Sequence, residues 1–552
     1  MSGAGQRMTG GKAVVESLKR EGVEFVFGVP GVQIMHIFDA FYGEPEIRLI
    51  TVRHEQTTVY MADGYARVKG KPGVGLVVPG PGVQNASAAL GTAYACSSPV
   101  LLISGQVESY NLGQDKGALH EINDQLDIVR PITKWCQRVM RVEDIPGAIH
   151  EAVHQMGTGR PRPTEVEIPW DVLGRTGKVT LGTVKEYPRA KPNRREVRRA
   201  SDMLVSAKKP LLWAGGGVIL SNASPELTEL AEALGAMVAT TPEGKGAISE
   251  DHPLSLGAGY YGFGAVRWAT PQADVILAVG TRFTSQMRPG TALKVPQRLI
   301  HLDVDPAVIG KNFPAEVPIV ADAKEGLKAL LGEIRRKNFT RVGEEPWPQP
   351  ERMKFREKHR RWLQEKAPLQ CDILANLRKE LRDDAILVSG VTNIGYWSHL
   401  AYPVRRPRTY LTPSYSATLG YAFPTALGAK VAAPDKPVVC LVGDGGFMYA
   451  CTELATAVRY GINLIAVIFT DNAFGSTKTD QQINFQGRVL GTELNNPDFA
   501  KLAELFGAKG MKADPERLGN ALGEALQAKR PVVIEVPIPT LIPPFQIYSL
   551  PD

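Results

Sequence analysis

Cysteine is scarce in this chain, with five in 552 residues, at Cys96, Cys136, Cys371, Cys440 and Cys451. An odd number without close spacing excludes a disulfide framework and a cysteine-built metal site, and it suits a reducing compartment. Cys440 lies inside an apolar run and reads as a small hydrophobe. Apolar stretches of membrane-spanning length are missing as well, so no bilayer-crossing helix is expected. Residues 1–11 are polar and glycine-rich and lack the apolar core of a secretion signal. These absences predict a cytoplasmic protein with no membrane partner. Charge of one sign never accumulates: 64 Lys and Arg face 57 Asp and Glu, a net +7. The densest basic stretch, Arg194-Arg195-Glu196-Val197-Arg198-Arg199, is broken by an acid and a valine. It reads as a solvated helix face and argues against nucleic acid as a partner. The weak positive excess helps attract anionic cofactors and small acids. With 22% charged and 43% hydrophobic residues the chain is globular, and its length implies about three domains.

What the chain does have is concentrated between Gly443 and Gln482. Val438-Val439-Cys440-Leu441-Val442 is a short apolar run that ends in Gly443-Asp444-Gly445-Gly446, a buried strand breaking into a tight turn. Leu454, Ala457 and Val458 recur at helical spacing, and Gly461 supplies the stop. Leu464 to Phe469 is a second buried strand, followed at once by Asp471-Asn472. Strand, helix and strand make a right-handed crossover with parallel strands. Such a unit sets the two strand ends side by side, where open α/β sheets bind ligands. Asp444 and Asp471, 27 positions apart, are therefore expected to converge. Two carboxylates beside glycine backbone suit Mg²⁺ and a phosphate group. The alternative is that Asp444 caps a helix and Asp471 opens a turn.

Gly-Asp-Gly followed one crossover later by Asp-Asn, with Gly475 just beyond, resembles the signature of thiamine diphosphate enzymes of the acetolactate synthase-like and benzaldehyde lyase-like group. The resemblance spans essentially the whole chain. It implies three doubly wound α/β domains with parallel sheets: a pyrimidine-binding domain over residues 1–175, a central Rossmann-like domain over 190–335, and a diphosphate- and metal-binding domain over 365–540. It implies thiamine diphosphate and Mg²⁺ as cofactors, with the metal at Asp444, Asp471 and Ala473. Gly443, Gly445, Gly446, Asn472, Gly475 and Ser476 would surround the cofactor, and Thr392 and Asn393, after an apolar strand, would touch its diphosphate. Ile394 stands where acetolactate synthases carry a histidine. Ser416-Ala417-Thr418-Leu419-Gly420 resembles the loop whose large apolar side chain wedges between the two cofactor rings. Ala417 and Leu419 are the candidates there, with an ordinary core leucine as the alternative.

In the first domain the pattern is strand, turn and helix repeated. Ile47 to Val52 is an apolar strand, with Arg53-His54-Glu55 at its end. Glu55 could be only a dipole partner for the helix it opens. The flanking Arg-His-Glu and the Ala-Asp-Gly-Tyr-Ala-Arg of residues 62–67 resemble the pyrimidine-binding half of the family. That resemblance gives Glu55 the hydrogen bond to N1′ of the aminopyrimidine, which favours the imino tautomer that deprotonates thiazolium C2. Gly75 to Val78 leads into Pro79-Gly80-Pro81-Gly82, and Gly80, Pro81 and Asn85 are cofactor candidates. His120 stands where the family places a glutamine facing substrate, and it could relay a proton to the adduct. A structural histidine is the alternative. Pro30 occupies the position of a benzaldehyde lyase-like histidine.

Residues 174–199 are polar and basic and read as a linker. In the central domain, strands end in Gly215-Gly216-Gly217, in Gly280-Thr281-Arg282-Phe283 and in Asp305-Pro306, without the complete dinucleotide fingerprint. Acetolactate synthases hold FAD in the equivalent domain. Thr284-Ser285-Gln286 and Tyr260-Tyr261-Gly262 depart from their pattern, which weighs against FAD without excluding it and leaves a spacer domain as the alternative. Residues 337–368 read as a second linker.

The leading function is decarboxylation of a 2-oxo acid coupled to carboligation, with 2-oxo acid or aldehyde substrates. A lyase or carboligase of 2-hydroxy ketones is the second reading, and a non-catalytic thiamine diphosphate-binding regulatory subunit the third. The resemblance also implies a homodimer or homotetramer with Glu55 of one chain facing Asp444 of another. Phe474, Ser476 and Thr477 are expected to line the pocket, and residues 540–552 to form a lid or a surface arm.

Overall fold

The structure, a computed structural model, describes residues 5–549 apart from 183, 185–186, 285–294, 296–297 and 342. Three six-stranded sheets, parallel throughout, organise the chain. In the first, the order across the sheet is Arg48–Thr51, Phe25–Gly28, Gly73–Val77, Val100–Gln106, Thr164–Pro169 and Trp135–Arg138. The third sheet runs Tyr410–Leu411, Ile386–Ser389, Val438–Gly443, Ile465–Thr470, Val532–Pro537 and Lys509–Lys512. Numbered by sequence, both have the order 2-1-3-4-6-5. The central sheet differs. Its order is Ser255–Ala258, Met237–Thr240, Pro210–Ala214, Val275–Val279, Leu299–Asp303 and Val317–Val320, the 3-2-1-4-5-6 of dinucleotide-binding folds. Central strands such as Val275–Val279 are buried along their whole length, as parallel sheets covered on both faces require.

Both linkers contain secondary structure, including the helices expected at residues 194–199 and alongside residues 337–368. Gln6–Thr9 pairs antiparallel with Thr176–Val179, so the start of the first linker is a strand that ties the chain's beginning to the end of the first domain. The helix Arg194–Ser206 begins inside the same linker, and Gln349–Lys366 fills most of the second. Short polar strands have no hydrophobic period from which to be read, and the Arg-rich helix buries only a narrow stripe of Val197, Ala200, Met203 and Leu204.

The first and third domains share one apolar core, which runs from Phe27 and Tyr60 through Phe423 and Phe447 to Val533. Its seam is the crossing of helices Glu55–Lys69 and Ala422–Ala432. The backbones touch: a Cβ on Gly64 would lie 2.0 Å from the Thr425 carbonyl oxygen, and one on Gly428 would lie 2.0 Å from that of Met61. Arg408 ties in the central domain, donating to the carbonyls of Arg67 at 2.8 Å and Ile219 at 3.1 Å. Among the described residues no helix is long and apolar enough to cross a membrane. The crossing predicts that Gly428→Ala, which forces backbone against backbone, lowers the stability of the folded chain by about 1–3 kcal/mol. Denaturant titration checks this, with Gly332→Ala, on the exposed face of the helix Ala323–Arg336, as a control of opposite sign expected to stabilise by about 0.5–1 kcal/mol.

Candidate active site

The functional candidates sit at the carboxyl ends of strands. Val438–Gly443 and Ile465–Thr470 are neighbours in register, with Gly443 opposite Phe469, so Asp444 and Asp471 emerge side by side. Asp444 is 1% exposed. Its Oδ1 accepts from the Gly445 amide at 2.7 Å, and its Oδ2 from the Asn472 amide at 2.8 Å and from Asn496 Nδ2 at 2.8 Å. Burial pushes the Asp444 carboxyl above the usual carboxylate range. Asp471 is raised too, first by burial and then by the charge of Asp444. Asn472 is left-handed, with φ 51°, and Ala473 pairs with Glu493 as an isolated bridge, which fixes the loop beyond Asp471.

The glycines of this turn are sterically required. A Cβ on Gly475 would stand 2.5 Å from Asp471 Oδ2, and one on Gly445 would stand 2.7 Å from the Phe474 ring. Thr392, at the start of helix Asn393–Ala401, lies against Gly443, 3.3 Å from where its Cβ would be. Gly446 has Leu419 as a neighbour at 3.8 Å from the same construction. The loop carrying Ala417 and Leu419 is pinned from the first domain, where Thr92 Oγ1 meets Ser416 Oγ at 3.0 Å and Thr418 Oγ1 at 2.8 Å. The side chain of Asn393 is committed elsewhere: it donates to the Leu541 carbonyl at 2.8 Å and accepts from Gln370 at 3.1 Å. Only its backbone is left for an anion.

The first-domain candidates form a second cluster. Glu55 is the first residue of its helix, and Asn85 Nδ2 donates to Glu55 Oε2 at 3.0 Å. Gly80 opens the helix Pro81–Cys96 with φ 56°, and a Cβ there would lie 2.4 Å from the carbonyl oxygen of His120. His120 is itself left-handed, with φ 68°, and its Nδ1 is buried without a partner. Glu55, Gly80, Pro81, Asn85 and His120 thus belong to one wall.

Two residues that the sequence did not single out hold these clusters. Glu453, fully buried, accepts from the amides of Arg53 at 3.0 Å and His54 at 3.1 Å, so the third domain fixes the turn that leads into the helix beginning with Glu55, which His54 itself caps through Gln56. Asn496 reaches Asp444 from 52 positions away. Neither carries a sequence signal, since each bonds a residue far along the chain. The tail is docked. Thr540 bonds Asp471, and Gln546 donates to the Ser476 carbonyl at 2.7 Å and accepts from Thr479 at 2.6 Å. Phe545 packs on Tyr396, whose hydroxyl bonds Ser476, and on Tyr261 of the central domain.

These residues fit a magnesium-bound diphosphate. Among the described residues no group of three or more His, Cys, Asp or Glu could hold a metal, so the aspartate pair must share a cation with amide, backbone, phosphate or water oxygens. That donor set is the habit of Mg²⁺. A cation would also offset the carboxylate repulsion.

A separate cavity of about 350 Å³ opens at the switch point of the central sheet, between the strand ends at Gly216-Gly217 and Gly280. Arg160, Arg282 and Asp303 line it. Ser285 and Gln286, part of the departure from the FAD pattern, lie outside the described residues. Asp303 is raised to about 6 by burial, against an ordinary 3.8. A carboxyl raised on folding favours the native state at low pH, and that contribution is lost as pH rises through about 6. Asp303→Asn should therefore stabilise the chain by about 3 kcal/mol near pH 8 and by less than about 1 kcal/mol near pH 4. Urea unfolding at the two pH values measures the difference.

Comparison with known proteins adds three matches to family models. Residues 8–128 match the N-terminal TPP binding domain of thiamine pyrophosphate enzymes, residues 197–330 their central domain, and residues 390–536 their C-terminal TPP binding domain. A protein of Methanocaldococcus jannaschii named "Probable acetolactate synthase large subunit" is 34% identical, over 96% of this chain and 92% of its own length. The acetolactate synthase large subunit of Haemophilus influenzae is 35% identical over 96% and 94%. A Pseudomonas aeruginosa protein named "Probable 2-ketoarginine decarboxylase AruI" is 36% identical over 91% and 88%.

Proposed function

The chain belongs to the thiamine pyrophosphate enzymes, is of the acetolactate synthase type and makes or breaks carbon–carbon bonds, and from that premise we propose that it decarboxylates a 2-oxo acid and passes the resulting fragment to a second carbonyl compound. The observation that carries this reading is the pairing of a buried two-aspartate turn with a glutamate held at a helix start by Asn85 and Glu453. We further propose domain limits at residues 1–175, 190–335 and 365–540, Mg²⁺ as the metal, and the cytoplasm as the location.

Bound thiamine diphosphate supplies a carbon nucleophile and an electron sink. The protein's own residues do the rest. Asp444 and Asp471 would hold the metal, and Gly446 would offer its backbone N–H to the diphosphate, whereas the N–H of Gly445 is held by Asp444 and that of Thr392 by the Gly390 carbonyl, so Thr392 and Gly445 would only border it. Gly475 keeps the space beside Asp471 open. Leu419 shapes the cofactor's bend. Glu55 shares a proton with the pyrimidine nitrogen, with Asn85 fixing its Oε2. His120 holds or releases a proton at the substrate oxygen through its unpartnered Nδ1. Phe474, Ser476, Thr477 and the docked tail exclude water from the reacting carbons.

The assembly we propose is a homodimer or homotetramer in which Glu55 of one chain meets Asp444 of another. Large apolar side chains stand exposed beside both clusters, Leu119 at 61% next to His120 and Tyr449 at 54% beside Gly420, and a second copy would cover them. The cavity of the central domain, with two arginines at glycine turns, suits a nucleotide. The proposed chemistry transfers no net electrons, and the absorbance of the purified protein reports FAD directly.

Assays with pyruvate, with 2-ketoarginine and with benzoin separate the outcomes. Release of CO₂ from a 2-oxo acid, dependent on thiamine diphosphate and Mg²⁺, is expected. Cleavage of benzoin without any CO₂ release would replace the proposal with a lyase. Glu55→Gln should lower kcat at least about 100-fold while leaving cofactor binding within a few fold. Unchanged turnover in that variant would remove Glu55 from the proton path.

A further inference from the structure

Behind the Glu55–His120 wall lies a polar network with no role in the chemistry described above. Gln125, Ser104, Glu165 and Glu167 are all fully buried. Gln125 Oε1 accepts from the Gly80 amide at 2.9 Å. Its Nε2 faces three acceptors: Ser104 Oγ at 2.9 Å, the Gly105 carbonyl at 3.1 Å and Glu167 Oε2 at 3.0 Å. Glu167 is held in turn by Gln106 Nε2 at 3.1 Å and by a close ion pair with Arg138. Arg138 also reaches Asp124, the residue that caps the helix Gln125–Val129, at 3.2 Å. Ser104 donates to Glu165, whose second oxygen is buried without a partner. Burial and the neighbouring Glu167 charge push Glu165 well above the carboxylate range, and burial raises Glu167 as well, with Arg138 opposing it.

Four buried polar side chains are costly unless they fix something. What they fix is visible at Gly80. That residue is left-handed and sits against the carbonyl of His120 too closely for any side chain, so the Pro79-Gly80-Pro81 turn and the His120 loop touch backbone to backbone. The loop from residue 107 to 124 has no helix or strand of its own; Gln33 donates to its Leu119 carbonyl at 2.9 Å and Glu121 ties back to Ala118, but neither bond reaches Gly80, which has no side-chain cap. The amide of Gln125 reaches the Gly80 N–H from the end of that same loop.

We propose that Gln125, gripped from behind by Glu167, is the positioning residue that clamps the Gly80 turn to the His120 loop and so sets Asn85, Glu55 and His120 in mutual register. The proposal rests on the thiamine diphosphate reading for its catalytic consequence but not for its structural one. Gln125 touches neither cofactor nor substrate and acts only through Gly80. Glu167 acts only through Gln125.

The test uses full-length protein and the variants Gln125→Met, which keeps the volume and removes both polar functions, and Glu167→Gln, which keeps the shape and removes the charge. Amide hydrogen exchange is followed without cofactor, where no activity is needed. Gln125→Met should speed exchange at least about tenfold in peptides spanning residues 78–86 and 118–124, with the peptide spanning 443–447 unchanged. Unaltered exchange at residues 78–86 overturns the proposal whatever reaction the protein performs. With thiamine diphosphate, Mg²⁺ and the 2-oxo acid that is turned over, Gln125→Met should lower kcat about tenfold, with KM for the cofactor changing less than about threefold. Glu167→Gln should have a smaller effect, and the double variant should be no slower than Gln125→Met alone. Losses that multiply in the double variant, or that fall on KM instead of kcat, overturn it. If Gln125→Met does not fold, Glu167→Gln alone decides by the same exchange peptides. A parent protein without any thiamine diphosphate-dependent turnover would sink the functional reading and leave the exchange result to judge the clamp.

Discussion

Two carboxylates at adjoining strand tips, both withdrawn from water, repel each other unless something positive lies between them. That repulsion organises the third domain. Asp444 already takes three N–H donors, and its carboxyl is still raised above the usual range, because burial outweighs those bonds. A divalent cation would reverse the balance. Gly445 and Gly475 stand where a side chain would collide, and Asn496 closes from the far side, which would leave the remaining ligands of such a cation to backbone, amide, phosphate or water oxygens.

The same arrangement recurs with different chemistry in the first domain. Both sheets have the order 2-1-3-4-6-5, and both place their working residues just past the strands' carboxyl ends. Thr392 follows Ile386–Ser389 and Asp444 follows Val438–Gly443, as Glu55 follows Arg48–Thr51 and Gly80 follows Gly73–Val77. Parallel sheets leave their ligand crevices at this edge, so one architecture can hold a phosphate at one sheet and a proton donor at the other. The glycine-tight crossing of helices Glu55–Lys69 and Ala422–Ala432 locks the two sheets into one body. Glu453 then ties the Asp444 turn to the Glu55 turn, since it lies in the same crossover as Asp444 and accepts from the amides of Arg53 and His54 just before the Glu55 helix.

How much of this the sequence showed depends on distance along the chain. The convergence of Asp444 and Asp471 was legible because strand, helix and strand are consecutive, and their hydrophobic periods place the two residues side by side. Glu55 was singled out by the resemblance of its flanking residues to the family, since a carboxylate at a helix start fits a dipole partner equally well. Glu453, Asn496 and Gln125 were not. Each acts through hydrogen bonds to residues distant along the chain, and a polar side chain carries no mark of its partners. Thr176–Val179 escaped notice for the same reason, as its strand partner is at the other end of the domain. The partners of the Asn393 side chain were hidden in the same way, since its amide bonds the Leu541 carbonyl and Gln370.

The docked tail explains what a central domain can contribute to a site it does not build. Phe545 lies between Tyr396 of the third domain and Tyr261 of the central one, and Gln546 bridges to the helix that starts at Gly475. Tyr261 is left-handed, with φ 47°, a conformation that costs a bulky side chain energy and persists only where its surroundings impose it. The Tyr260-Tyr261-Gly262 departure from the flavin-binding pattern therefore falls at a contact with the catalytic domain. At this contact the central domain meets the tail that lies on the helix starting at Gly475. The cavity at its switch point is a separate feature of the same sheet.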